Sequence, residues 1–525
     1  MPNFKELVVV LGISTIAFMW LKPIALRFTA EADFLRRRNL WLLLTFIGFL
    51  SPNIWLYALL AGPLMLWGGR KDSNPIALYL ILLQVIPPVA IPIPFTVPGI
   101  STLFDFGNYR LLAICILVPT IGRIRKDTAA GEMRALRSTD LWLLGFGLLQ
   151  TLLYIRPDMA NAYLLHDSPT NMLRRLVLFL LDIYALYYAV SRSCTSKAKI
   201  VDAMAAFCVV SCVMSLEAVF ESLRHWLLYQ GLALRLSPGD LGMLLGYLMR
   251  NGVLRAQGAA GHPLALGYLF AVAFGFWLYL RPQIESRFQR VSVTVVLWAG
   301  LIAAYSRGPW IGAIAIYFVI VALDPRAFGR LARVAAVMIL PAIVIALTPL
   351  GHRIAAVLPF MGGSVDSGDL DYRQRLASTS WDLIMNHPYF GDQDFMAKMH
   401  ELRQGQGIID IVNTYAGTAL EYGLVGLSLF VGFMLVTMIK GYRFMRQIRQ
   451  RDSDLARLGS CMLACIAGTL LMLYNASFAF GYEKMFYVLA GLTAAYVRSG
   501  MAQSETTPAK EAKLRGFNGD APQPV

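Results

Sequence analysis

Long apolar runs, separated by short clusters of arginine and lysine, recur along this chain of 525 residues. Ile76–Phe95, Leu176–Val190, Leu264–Leu280, Gly308–Leu323 and Leu424–Ile439 are examples. The hydrocarbon core of a bilayer takes about 20 mostly apolar residues per helical crossing, and these runs meet or approach that length. A transmembrane β-barrel would alternate apolar and polar residues in segments of about ten. No such alternation occurs here. Charged residues make up only 15% of the chain, whereas a soluble protein carries roughly 25%. The sequence therefore predicts an all-α fold, a polytopic transmembrane helical bundle of about 12–15 helices by the length criterion.

The net charge of +15 raises the question of nucleic acid. The basic residues do not form a stripe interleaved with aromatics, which a nucleic-acid groove requires. They sit in loops: Lys22–Arg38, Arg70–Lys71, Arg123–Arg137, Arg192–Lys199, Arg281–Arg290, Arg326–Arg333 and Lys440–Arg457. The positive-inside rule puts these in the cytoplasm. The connections Thr96–Tyr109, Arg156–Asn171, Ser222–Gly261, Tyr305–Arg307, Gly351–Asp410 and Asn475–Tyr482 then face outward, and the two sets alternate from Lys71 onward. Helices are expected near 7–22, 76–97, 109–123, 140–156, 172–191, 200–221, 262–280, 290–306, 308–324, 331–350, 417–440, 457–475 and 480–498. Leu40–Trp67, split by Ser51-Pro52-Asn53, reads either as a tight hairpin or as one kinked helix.

Four regions follow. Residues 1–350 hold the N-terminal helices and the outward loop 222–261; 351–416 form a large, partly helical periplasmic loop; 417–498 hold the C-terminal helices; 499–525 form a polar cytoplasmic tail expected to be disordered. Leu7–Leu21 lacks a cleavage site of small residues and reads as the first membrane helix. The cysteines lie mostly in apolar runs, and the pairs Cys208/Cys212 and Cys461/Cys465 each share a helix face. No second pair completes a tetrahedral metal site, so they read as small packing residues, and no metal or cofactor is expected. There is no internal repeat of the kind that marks many transporters.

The polar exceptions to the apolar pattern carry the chemistry. In the large loop, Leu376, Leu383 and Ile384 fall at helical spacing, which predicts an amphipathic helix at the membrane surface ending at His387-Pro388. The loop is rich in outward carboxylates, any of which can serve as a base or simply be solvated. Arg255 lies in a glycine-rich turn just before the helix that begins near His262. A guanidinium at the water–lipid boundary suits a lipid-linked phosphate, to which it donates in pairs; an interfacial anchor is the alternative. Arg307 sits between two apolar runs, where a charge is expensive and kept for a partner or a function. The plain alternative is an ion pair with Asp182, Glu217 or Glu221. Asn413 is placed to cap the following helix, and Glu421 falls in a segment about to become wholly apolar, with Arg307 or Arg375 as candidate partners. Phosphate loops, zinc-protease helices and nucleophile elbows are absent from the sequence.

Four places together resemble the O-antigen ligase and polymerase superfamily of bacterial membrane glycosyltransferases. They are Arg255-Ala-Gln-Gly with Gly261-His262-Pro263; Ser306-Arg307-Gly308; Tyr372-Arg373-Gln374-Arg375 with Trp381 and His387-Pro388-Tyr389-Phe390-Gly391; and Asn413-Thr-Tyr415 with Glu421-Tyr422-Gly423. The likeness covers roughly residues 250–430. It implies a metal-independent transferase of the bacterial inner membrane that joins glycans carried on undecaprenyl diphosphate at the outer face. Exopolysaccharide or O-antigen is the product implied, with a chain-length regulator and a flippase as possible partners. By that likeness Arg255 and Arg307 bind the diphosphate and Arg373 or Arg375 assists. Arg307, Arg375, Glu421 and His387 are then the catalytic candidates, with Arg255, His262, Arg373, Asn413, Tyr415 and Tyr422 binding substrate. Ligases of the family tend to carry a histidine immediately before Asn413, and here that residue is Val412. Polymerisation of repeat units is accordingly the favoured expectation, ahead of ligation to a lipid or protein acceptor, transport or flipping, and a scaffold role.

Overall fold

The computed structural model describes residues 4–97, 100–127, 132–153, 171–237, 249–250, 252–324, 329, 367–403, 409, 411–476, 481 and 483–499. Among these, six helices are long and apolar enough to cross a membrane: Phe4–Ala25, Arg174–Ser193, Lys197–Arg224, Pro263–Gln283, Thr414–Ile448 and Ser453–Leu473. Shorter helices, among them Glu31–Leu50, Ile54–Lys71, Arg287–Ala303 and Arg307–Ala322, pack in the same bundle around one continuous apolar core. Lys197–Arg224 and Pro263–Gln283 are the most enclosed of the six. The outer helices keep apolar residues exposed: Phe4, Val8, Ile16 and Met19 on one, Phe288, Val291, Val295 and Ile302 on another. Such faces would be liabilities in water, and in a bilayer they meet acyl chains. The protein is an all-α, multi-pass membrane protein.

The basic loops meet one another at one end of the bundle. Arg27 pairs with Glu285 at 2.8 Å and Lys197 with Asp454 at 2.5 Å. Arg123 donates to the Gly69 carbonyl at 2.7 Å, and Arg449 to that of Leu323 at 2.6 Å. Arg37 is buried there. Its guanidinium donates to Asp72 at 2.9 and 2.7 Å and to Asp202 at 2.7 and 3.0 Å, tying the 72–74 turn to the Lys197–Arg224 helix. The outward connections meet at the other end: Ser237 donates to the Ala90 carbonyl at 2.9 Å, Arg174 pairs with Asp105 at 3.0 Å, and the Thr414 N–H donates to Ala476 at 2.9 Å. The alternation read from charge alone thus maps onto two opposite faces.

Two expectations about elements change. The run 76–97 is not one helix. It begins as Pro75–Leu82, loses helical form before Pro87-Pro88, and enters an antiparallel hairpin of Ala90–Val97 and Ile100–Gly107. Proline cannot donate a ladder bond and pushes its predecessor out of helical geometry, so four prolines between 87 and 94 favour strand over helix. The residues from Ile76 to Ile86 are buried in protein, which is where non-helical backbone is tolerated at membrane depth. The ambiguous 40–67 stretch resolves as a hairpin of the helices Glu31–Leu50 and Ile54–Lys71, the second capped by Asn53, whose side chain accepts from the Leu56 N–H at 2.9 Å. All six cysteines are free and buried, and Cys208 and Cys461 donate to the Ala273 and Gly275 carbonyls of the helix beside them. The expected helix at 331–350, the loop up to residue 366 and the tail beyond 499 lie outside the described residues.

Candidate functional site

The Arg255 turn is held from three sides. Glu221, at the outer end of the Lys197–Arg224 helix, accepts from the backbone N–H groups of Leu228, Gln257 and Gly258 at 2.9, 2.8 and 2.9 Å. The Ala256 N–H donates to the Ala303 carbonyl at 3.0 Å, fastening the turn to the end of the Arg287–Ala303 helix. The turn then closes at Gly261, whose positive φ of 71° suits glycine, and His262 caps the Pro263–Leu280 helix. The His262 Nδ1 accepts from the Leu264 N–H at 3.2 Å, so the neutral ring carries its proton on Nε2.

This rigid frame holds a half-buried cation. Among the described residues the Arg255 Nε is buried with no hydrogen-bond partner. Burial, aided by the nearby Arg250, lowers the Arg255 guanidinium to about 10. Burial and the charge of Arg255 lower His262 to about 3, which keeps the imidazole neutral beside it. A half-buried guanidinium and an adjacent N–H donor, with Glu221 committed to the backbone of the turn, form a place suited to an anion.

Arg307 opens the Arg307–Ala322 helix after the Ser306 cap and Tyr305, whose φ of 44° lies in the left-handed region that only a few per cent of non-glycine residues adopt. The Tyr305 ring packs edge-on against Trp310 at 6.1 Å, and the Trp310 indole donates to the Leu301 carbonyl at 2.6 Å, which holds the turn shut. Ala256 bonds to Ala303, so Arg255 and Arg307 emerge at the same helix junction. Asp182 is paired with Arg110 at 2.9 Å and with Lys484 at 3.4 Å, Glu217 accepts from Ser14 and Tyr229 at 2.8 and 2.9 Å, and Glu221 accepts the backbone donors above. The carboxylates considered as partners for Arg307 are thus engaged elsewhere.

Asn475 links this junction to the loop, and sequence reasoning did not single it out. A Cβ placed on Gly308 would lie 3.7 Å from that of Asn475. The Asn475 Oδ1 accepts from Arg373 at 3.3 Å, and the next residue, Ala476, accepts from the Thr414 N–H. Asn413 caps the helix that starts at Thr414, accepting from the N–H groups of Tyr415 and Ala416 at 2.9 and 3.2 Å. The Tyr415 hydroxyl donates to the Leu470 carbonyl at 2.7 Å. Arg255, His262, Arg307, Arg373 and Asn413 therefore belong to one connected region at the end of the bundle opposite the basic loops. Arg375 lies exposed on the Ser367–Asn386 helix.

His387, Glu421 and Tyr422 belong to a second arrangement. The Thr414–Ile448 helix breaks at Gly423, with φ 67° and ψ −174°. The His387–Gly391 segment fills the break: Leu424 N–H donates to Pro388 at 2.7 Å, Val425 N–H to Tyr389 at 3.2 Å, and Asp392 N–H to Leu420 at 2.8 Å. Contact is backbone against backbone, since a Cβ on Gly423 would lie 2.3 Å from the Tyr389 carbonyl. Tyr422 is buried, its ring edge-on to Phe146 at 5.8 Å, and its hydroxyl donates to Glu421 at 2.6 Å. His387 is exposed on this clasp. The loop helix Ser367–Asn386 forms, but Leu376 and Ile384 pack on Phe395, Met399, Leu402, Ile411 and Leu420, not on lipid. Its stripe belongs to a small core of the loop itself, and Trp381 and Tyr389 are left outside at 63% and 71% exposure.

Residues 292–431 match the family model described as O-antigen ligase. This segment of the chain is similar to the O-antigen ligase domain, in line with the resemblance to the O-antigen ligase and polymerase superfamily. The matched segment spans Arg307, Arg373, the clasp and Asn413, while Arg255 and His262 precede it and reach it through the Ala256–Ala303 bond. No match was found among curated proteins.

Proposed function

We propose that this protein is a polymerase that extends glycans carried on undecaprenyl diphosphate at the outer face of the bacterial inner membrane. The observation that carries the reading is the half-buried Arg255, its buried Nε unpartnered among the described residues, on a turn held by Glu221 and Ala303 beside neutral His262. In this reading Arg255, His262, Arg307 and Arg373 hold the donor's diphosphate. As an acceptor hydroxyl oxygen bonds to the anomeric carbon, the bond from that carbon to the diphosphate oxygen breaks, and the arginines stabilise the departing charge. The clasp, with His387 and Glu421, takes the acceptor side, where the hydroxyl proton must leave. Val412, in the position before the capping Asn413, packs against the loop's apolar cluster and supplies no titratable group, which favours polymerisation over a ligase using a histidine there.

The test is Arg255→Ala and Arg307→Ala in cells, with membrane insertion checked. Single lipid-linked repeat units are expected to accumulate at the outer face while polymer disappears. Full-length polymer that stays unattached to its acceptor would mean ligation, repeat units trapped at the cytoplasmic face would mean transport, and normal polymer in both variants would refute the diphosphate assignment.

A further inference from the structure

A second groove lies at the opposite end of the bundle, among the basic loops. Val319 and Leu323, Leu435, Met438, Ile439 and Tyr442, and Leu463 from three different helices wall a cavity of about 500 Å³. The walls are almost wholly apolar, and Leu435, Ile439 and Tyr442 remain substantially exposed. Arg443 and Arg446 border the groove at its inner end. Both are exposed, neither forms an ion pair among the described residues, and the Arg446 guanidinium lies 5.9 Å from the centre of the Tyr442 ring. The apolar part thus continues inward into two cations, spaced i,i+3 so that they project from one helix face.

We propose that this groove binds an anionic glycerophospholipid of the inner leaflet, an acyl chain against Leu435, Met438 and Ile439 and the phosphate at Arg443 and Arg446. Charge complementarity selects this occupant. The cytoplasmic leaflet is the anionic one, and basic pockets between helices on that side bind anionic headgroups. A protein partner would have to bring carboxylates to the arginines at lipid depth, where they are expensive. The site is separate from the outer arginines and does not depend on the glycan reading.

The experiment is native mass spectrometry of the full chain released from nanodiscs of equal parts phosphatidylglycerol and phosphatidylcholine. Wild type is expected to retain phosphatidylglycerol. Each basic residue near an anionic surface contributes roughly fivefold, so Arg443→Gln with Arg446→Gln should lower retention on the order of 20- to 30-fold. Ile439→Trp, which fills the groove but keeps both charges, should lower it as well. An equal loss from Arg287→Gln with Arg290→Gln, elsewhere on the inner face, would make the effect one of general charge and overturn the proposal. So would unchanged retention in both groove variants, or a cross-link from Ile439→Cys to a cysteine placed within 331–350, which would give the groove to the chain itself.

Discussion

Gly423→Ala tests the clasp directly. At φ 67° and ψ −174° the backbone is in a region open essentially to glycine, and a Cβ there would meet the Tyr389 carbonyl at 2.3 Å and the Phe390 nitrogen at 2.5 Å. Alanine can remain only if the break closes into regular helix and the His387–Gly391 segment leaves. Departure gives up the bonds from Leu424, Val425 and Asp392, each contributing roughly 1 kcal/mol. The attached state is then about 3 kcal/mol less favourable, on the order of a 100-fold larger detached population. Hydrogen exchange of the peptide covering 387–392 should accelerate by about that factor, while 420–426, closed into helix, and the Lys197–Arg224 helix keep their protection. Polymer formation should fall with it. Gly12→Ala is the control, since a Cβ at Gly12 meets nothing within 4 Å. Unchanged exchange at Asp392 in Gly423→Ala would show that the clasp tolerates a side chain and refute the reasoning.

Glu221→Gln should raise the KM for the lipid-linked donor more than it lowers kcat, because it slackens the Gln257–Gly258 anchor without touching Arg255; equal losses in both would place Glu221 in the chemistry. Arg37→Ala leaves Asp72 and Asp202 buried without their cation, which should destabilise the fold by on the order of 3–5 kcal/mol, read as a lower melting temperature in detergent with less protein in the membrane. The charge of Arg255, full well below pH 10, is lost as pH rises through about 10, so kcat/KM for the donor should decline there. His262 stays neutral in the fold down to about pH 3 while the unfolded chain takes up a proton near 6.5. Stability should therefore fall by about 1.4 kcal/mol per pH unit as pH drops between those values, and His262→Gln should flatten that part of the profile.

Hydropathy and loop charge were enough to read the bundle and its two faces, because period and sign survive without tertiary knowledge. They were not enough at Ile76–Phe95, where apolarity measures burial and says nothing of backbone geometry; Pro87, Pro88, Pro92 and Pro94 were the available signal. Arg255 and Arg307 stood out because a charge in an apolar setting needs a reason. Glu221 was legible only as a possible ion-pair partner, since nothing local to it predicts that its acceptors' work is done on the backbone of residues 257 and 258. Asn475 carried no signal beyond its place at the end of an apolar run. The role of His387-Pro-Tyr-Phe-Gly391 as a backbone clasp needed the fold, because its partner Gly423 is distant in sequence and the bonds involve no side chain.

The distribution of irregular backbone argues for where the chemistry sits. In a bilayer every departure from helix must have its N–H and C=O groups satisfied by protein. Among the described residues the bundle breaks at Pro87-Pro88, at residues 255–261, at Tyr305 and at Gly423, each toward the end opposite the basic loops, while Ala113–Leu117 and Leu180–Tyr184 widen to π-helix without breaking. Each departure also leans on another element: Pro88 comes within 3.0 Å of a Cβ placed on Gly261, residues 256–258 bond to Ala303 and Glu221, and the Gly423 break bonds to the loop. The inner end is instead made of helix ends tied by ion pairs such as Arg37 with Asp72 and Asp202. Regular helices locked at one end and interrupted at the other fit a site built to position a lipid-borne substrate from the outer leaflet. A transporter that passes substrate across the bilayer would place its broken helices near the midplane, in corresponding positions of two repeats, whereas the breaks described here gather at one end and the sequence carries no internal repeat.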